Sequence, residues 1–148
     1  MKHLVLGFVL LFLASISTAQ AQTDGDKLLT WSGAKVIAVE GATEVDLSTA
    51  KTLYERDVQF IDVRGSWYWK RGHIPDAPSL RYITEAKLME IVDKNEEVVF
   101  YCDCAESASC NLSSKASAKA VALGYQNVYW FQNAEGWSEA DYPIEKPE

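Results

Sequence analysis

Short runs of β-branched and aromatic residues alternate along this chain with segments whose apolar residues recur at helical spacing. That alternation constrains the fold more than any other feature. Residues 58–63 (VQFIDV), 98–101 (VVFY) and 127–131 (NVYWF) read as buried strands, and residues 35–39 (KVIAV), cut off by Gly41, as a further short one. Between them, residues 45–57 place Leu47, Ala50, Leu53 and Tyr54 on one helical face, with Asp46 or Ser48 as N-cap. Residues 84–97 place Leu88, Ile91 and Val92 likewise behind Thr84, and residues 113–123 form a small-residue helix stopped by Gly124. Residues 133–143 read as a closing turn and short helix. Strand–helix alternation of this kind predicts an α/β domain with a mostly parallel central sheet flanked by helices. Sites in such sheets gather at the carboxyl ends of the strands, where VVFY delivers Cys102.

The first 21 residues have the form of a secretory signal peptide. Lys2 supplies a positive start, Leu4 to Leu13 an apolar stretch too short to span a bilayer comfortably, and Ala19-Gln20-Ala21 a small-x-small cleavage pattern. The expected organisation is a leader over 1–21, a flexible lead-in over 22–34 and one domain over 35–145, exported to a periplasm or secreted. The formal net charge is −7, and −8 once Lys2 is removed with the leader. An acidic chain lacks the basic face that nucleic acid or an anionic membrane requires, so neither is expected as a partner.

An oxidising compartment matters because all three cysteines, Cys102, Cys104 and Cys110, fall within nine residues. They cannot staple distant parts of the fold, and their odd number leaves at least one outside any internal bridge. Cys102 and Cys104 point to opposite sides of an extended backbone, whereas Cys102–Cys110 or Cys104–Cys110 could close across the loop. A Cys-x-Cys…Cys set could in principle take zinc or copper, but no fourth ligand is close in sequence; no metal and no cofactor is expected. A cysteine delivered by a buried strand to the start of the next helix suits nucleophilic chemistry. Backbone N–H groups there stabilise a thiolate or a bound anion.

With those segments placed, the chain resembles the rhodanese family of sulfurtransferase domains over nearly all of residues 36–143. FIDVRGSWYWKRGHIPDAPSL (60–80) is similar to the family's Asp-Val-Arg strand end followed by an aromatic and Gly-His-Ile-Pro-x-Ala. VVFYC is similar to the strand ending in its catalytic cysteine, and ALGYQNVYWFQNAEGW to its closing Gly-Tyr-x-Asn-Val-Tyr strand. The resemblance implies a rhodanese-like domain that carries sulfur on one cysteine as a persulfide. It takes the sulfur from a small anion such as thiosulfate and passes it to a thiol acceptor or to a periplasmic protein partner.

The loop departs from the family's Cys-x-x-Gly-x-Arg-Ser pattern. Counted back from the helix, Leu112 falls at the arginine position, Cys110 at the glycine and Ser107 at the nucleophile; counted forward from the strand, the nucleophile is Cys102 in a longer loop. Asp103 and Glu106 in this loop oppose a thiolate and an anionic donor.

The candidate catalytic residues are therefore Cys102 as nucleophile, Cys110 as resolving or protecting thiol, and Lys115 as the cation. Ser113 and Ser114 are candidates for capping the helix and donating to a bound anion, and Trp67 for one wall of the pocket. Asp62 and Arg64 are expected to form a structural ion pair near the site, and His73 to tie a turn to the sheet. Two other classes of function stay open: a catalytically silent rhodanese fold used as a binding module, and a thiol–disulfide redox protein.

Overall fold

The computed structural model describes residues 38–103 and 111–147. Residues 1–37, which hold the whole of the expected leader and lead-in, and residues 104–110, with Cys104, Ser107 and Cys110, lie outside the described residues. Among the described residues, four parallel strands form one sheet: β1 (Ala42–Glu44), β2 (Gln59–Asp62), β3 (Glu97–Tyr101) and β4 (Asn127–Phe131), in the order β1-β4-β3-β2. The connections carry α1 (Leu47–Glu55), α2 (Ser66–Arg71), α3 (Glu85–Met89) and α4 (Leu112–Ala122), and α5 (Ala134–Glu139) closes the fold. Among the described residues, no helix is long and apolar enough to cross a membrane.

β3 is central and buried on both faces, which is why its sequence is apolar without alternation. Val98, Phe100 and Cys102 pack on one face with Leu88 of α3, with Val92 just beyond it and with Ala116 and Ala120 of α4. Val99 and Tyr101 pack on the other with Ala50 and Leu53 of α1 and Trp137 of α5. Trp137 anchors this second core, with ring centroids 5.4 Å from Tyr54, 6.0 Å from Phe60 and 5.1 Å from Tyr142; its indole N–H donates to the Pro143 carbonyl.

Helix boundaries follow local chemistry. The Asp46 carboxylate accepts from the Thr49 amide and caps α1, and Thr84 caps α3 in the same way through Lys87. Gly124 follows α4 at φ +91°, a conformation that suits glycine, and ends the helix.

Two expectations are corrected. Among the described residues the first strand is Ala42–Glu44, beyond Gly41, and Val39 lies outside any strand, while residues 35–37 of the expected strand lie outside the described residues. Gly41 turns at φ +80°, with the Ala42 amide bonding back to the Val39 carbonyl, so pairing with β4 begins only after it. The helix expected over 84–97 stops at Met89. Beyond it the carbonyls of Val92, Lys94 and Asn95 accept from Tyr125 Oη, the Gln126 amide and Asn127 Nδ2, so tertiary partners replace the helical ladder. The stretch Ser66–Arg71, to which the sequence assigned no element, forms α2.

Candidate active site

Strand β3 ends at Tyr101, and the next residue, Cys102, is still locked into the sheet. Its amide donates to the Phe131 carbonyl at 3.0 Å, and its own carbonyl accepts from the Ala134 amide at 3.3 Å. The side chain points to the α4 face and is fully buried. There the sulfur lies 3.1 Å from the Ser113 hydroxyl.

Two opposed influences set the protonation of this thiol. Burial raises its pKa above the ordinary 9.0; the Ser113 hydroxyl and the backbone N–H groups of Ser113 and Leu112 lower it, while Asp103 raises it. Burial wins, and the resting group is a thiol held above its usual range. The downward pulls come from the first turn of α4, where amides lack intrahelical acceptors and favour negative charge. The first turn of α4 offers donors to a negative charge on this sulfur, yet in this conformation the dry surroundings outweigh them.

Helix α4 starts at Leu112 with Asn111 in the N-cap position, one residue earlier than the sequence suggests. Neither Ser113 nor Ser114 is therefore a cap. Ser113, inside the first turn, faces inward to Cys102, while the Ser114 hydroxyl donates back to the Asn111 carbonyl at 3.1 Å. Both serines are fully buried, as is Ser117, whose hydroxyl donates to the Tyr129 carbonyl and seats α4 on β4. Lys115, half-buried, belongs to the same first turn, its amide bonded to the Asn111 carbonyl.

The Asp62–Arg64 pair lies on the other face of the sheet, with Tyr101. Arg64 Nε and Nη2 reach the Asp62 carboxylate at 3.0 and 2.6 Å, and Nη2 also donates to the Gly72 carbonyl at 2.8 Å. Desolvation works against the Arg64 charge and Asp62 more than restores it, so its pKa stands above the ordinary value. His73 Nδ1 lies 3.0 Å from the Trp69 carbonyl and its ring stacks on Trp69 at 4.1 Å, while its backbone pairs with Glu145. These residues brace the turn after β2 and do not face the sulfur.

Trp67 is 60% exposed on α2, its ring against Tyr68 and Arg71. It is a surface residue where a pocket wall was expected. Trp69 is the inward member of the trio, donating from its indole to the Ala77 carbonyl.

Sequence reasoning missed Gln132. It follows β4 beside Cys102, and by strand alternation it shares the Val128–Trp130 face, the face of Cys102. Its Nε2 is buried and has no hydrogen-bond partner among the described residues. A glutamine at the end of an apolar strand carries no motif, so only the register exposes it. A broad depression of about 640 Å³, lined by Arg56, Gln59, Asn95, Glu97 and Asn127 among others, lies at the amino ends of the strands, away from Cys102.

The sequence profile of the rhodanese-like domain family matches residues 46–140, and the chain belongs to that family. Solved structures agree on the fold. A Bacillus halodurans protein is 25% identical, with a TM-score of 0.59 over 70% of this chain and 77% of its own. A polysulfide-sulfur transferase, a homodimer from Wolinella succinogenes, is 20% identical, with a TM-score of 0.57 over 74% of this chain and 82% of its own. A rhodanese-like domain from Anabaena is 18% identical, with a TM-score of 0.58 over 70% and 79%. The protein is thus built on the fold of rhodanese-like domains.

Proposed function

We propose that this protein is an exported sulfurtransferase or persulfide carrier whose sulfur-bearing group is Cys102. One observation carries the reading: the Cys102 sulfur faces the first turn of α4, 3.1 Å from the Ser113 hydroxyl and served by the Leu112 and Ser113 amides. These are the donors a thiolate or a persulfide anion needs. The Cys102 thiolate attacks the outer sulfur of a donor such as thiosulfate, the donor's S–S bond breaks, and sulfite leaves with the electron pair. An acceptor thiolate then attacks the outer sulfur of the Cys102 persulfide, and Cys102 leaves as thiolate. Lys115 belongs to the same turn and supplies the positive charge the donor anion meets. Cys110 is the second thiol, able to resolve the persulfide or to protect Cys102 as a disulfide. Export to a periplasm or the exterior rests on the leader pattern of residues 1–21.

Burial of Cys102 and its raised pKa favour a second reading, a silent rhodanese fold serving as a binding module. Transfer of sulfur from thiosulfate or polysulfide to dithiothreitol, compared between the wild type and Cys102→Ser, decides between them. Sulfur carriage predicts turnover that the substitution abolishes. Turnover unaffected by the substitution, or none with either donor, sinks it.

A further inference from the structure

Charge is unevenly distributed along this acidic chain. The nineteen residues from Arg64 to Tyr82 hold four of its fourteen Lys and Arg and only one of its twenty-one Asp and Glu. Arg64 is consumed by Asp62, but Lys70, Arg71 and Arg81 are exposed. Two large exposed aromatic rings stand among them: Trp67, 60% exposed, and Tyr68, 51% exposed, in edge contact at 4.8 Å. The Arg71 guanidinium covers the Trp67 ring at 4.5 Å, which holds both groups on the surface in a fixed arrangement.

The chain's two ends of this segment are drawn together. Arg81 donates to the Arg64 carbonyl at 2.9 Å, beside Gly65 at the start of α2. At the other end of α2, a Cβ on Gly72 would stand 3.0 Å from Ile144 and 3.9 Å from the Lys146 side chain. The acidic neighbour there, Glu145, is half exposed, and its carboxylate is engaged locally, accepting from the Asp76 amide and lying 3.7 Å from His73 Nε2.

The geometry points to α2 and its flanks as a docking surface for an acidic segment of a partner protein, with Trp67 and Tyr68 as the apolar anchors and Lys70, Arg71, Arg81 and Lys146 as the charged rim. Exposed aromatics with arginine are the composition of binding hot spots. Charge complementarity selects the partner. A long polyanion, whether nucleic acid or an anionic bilayer, would also meet the acidic remainder of the molecule and be repelled. A local acidic segment meets only the basic patch. The surface sits past the carboxyl end of β2, level with the end of β3 that delivers Cys102, since Asp62 and Tyr101 are register partners. The docking claim stands without any sulfur chemistry.

The test uses the mature protein and a synthetic acidic peptide of glutamates and phenylalanines, followed by amide NMR shifts, with phosphatidylglycerol vesicles as the competing surface. Shifts are expected in α2, around Arg81 and near Lys146, with affinity falling as salt is raised. The Lys70→Glu/Arg71→Glu double variant should weaken binding about tenfold. Shifts elsewhere, salt-independent binding, or preference for the vesicles over the peptide would overturn the inference. The salt series on the wild type decides even if the double variant folds poorly.

Discussion

The Tyr101 hydroxyl donates to Asp62 Oδ2 over 2.9 Å between adjacent parallel strands, on the face of the sheet opposite Cys102. The same hydroxyl accepts from the Ile74 amide at 3.1 Å, and the same carboxylate holds Arg64. One buried carboxylate thereby joins β2, β3 and the turn leading to His73. It braces the end of the sheet where Cys102 sits while leaving the sulfur's own face to α4.

Breaking this network should destabilise the protein by an amount that depends on what is left unpaired. Asp62→Ala leaves Arg64 and the Tyr101 hydroxyl without their acceptor, and should cost about 3–5 kcal/mol. Tyr101→Phe leaves the Ile74 amide unpaired and Asp62 short of one donor, and should cost about 1–3 kcal/mol. Urea titration gives both values. Near-neutral Asp62→Ala would show that the pair contributes little to the fold.

Trp137 is the largest side chain of the second core. Trp137→Ala should lower stability by about 3–5 kcal/mol, since its four aromatic neighbours cannot close the space it leaves. Thermal unfolding followed by circular dichroism measures this loss.

The three long strands, the α1 and α3 caps, the end of α4 and the ion pair were legible in the sequence because each rests on local chemistry. β-branched runs, an Asp or Thr before a helical pattern, and a glycine after one all leave marks in single segments. The position of β1 was not, because a three-residue edge strand (Ala42–Glu44) is chosen by its register with β4 and not by its own propensity. The early end of α3 has the same origin, since its carbonyls answer to residues some thirty positions away. At the site, Cys102 was legible from the strand that carries it. The contact of Ser113 with the sulfur was not, because it depends on how α4 packs against the sheet. Gln132 and the outward placement of Trp67 are facts of packing, without a signature in residue type.

Ser113 should tune the thiol. Its hydroxyl pulls the Cys102 pKa down, so Ser113→Ala should raise it further. Loss of one hydrogen bond worth about 1 kcal/mol reduces the thiolate fraction about fivefold at a fixed pH below the pKa. Alkylation of Cys102 by iodoacetamide should slow accordingly in the reduced protein, with the product located by peptide mapping.

The raised thiol pKa also sets a pH dependence of stability. Burial stabilises the protonated form in the folded state, so the folded pKa lies above that of the unfolded chain. Below the unfolded value both states hold the proton, and the contribution is fully present. As pH rises from there through the folded pKa, the unfolded state sheds its proton first, and stability falls. Cys102→Ala should show a shallower decline on the alkaline side in denaturant titrations. An equal slope in both proteins would mean the buried thiol is not responsible.

The most direct test of sulfur carriage is mass spectrometry of the reduced protein after exposure to thiosulfate or polysulfide, followed by alkylation and peptide mapping. The account predicts one added sulfur on the peptide bearing Cys102, at that residue, absent from Cys102→Ser and removed by a thiol acceptor. An added sulfur on Cys110 instead, or none on any cysteine, would contradict it.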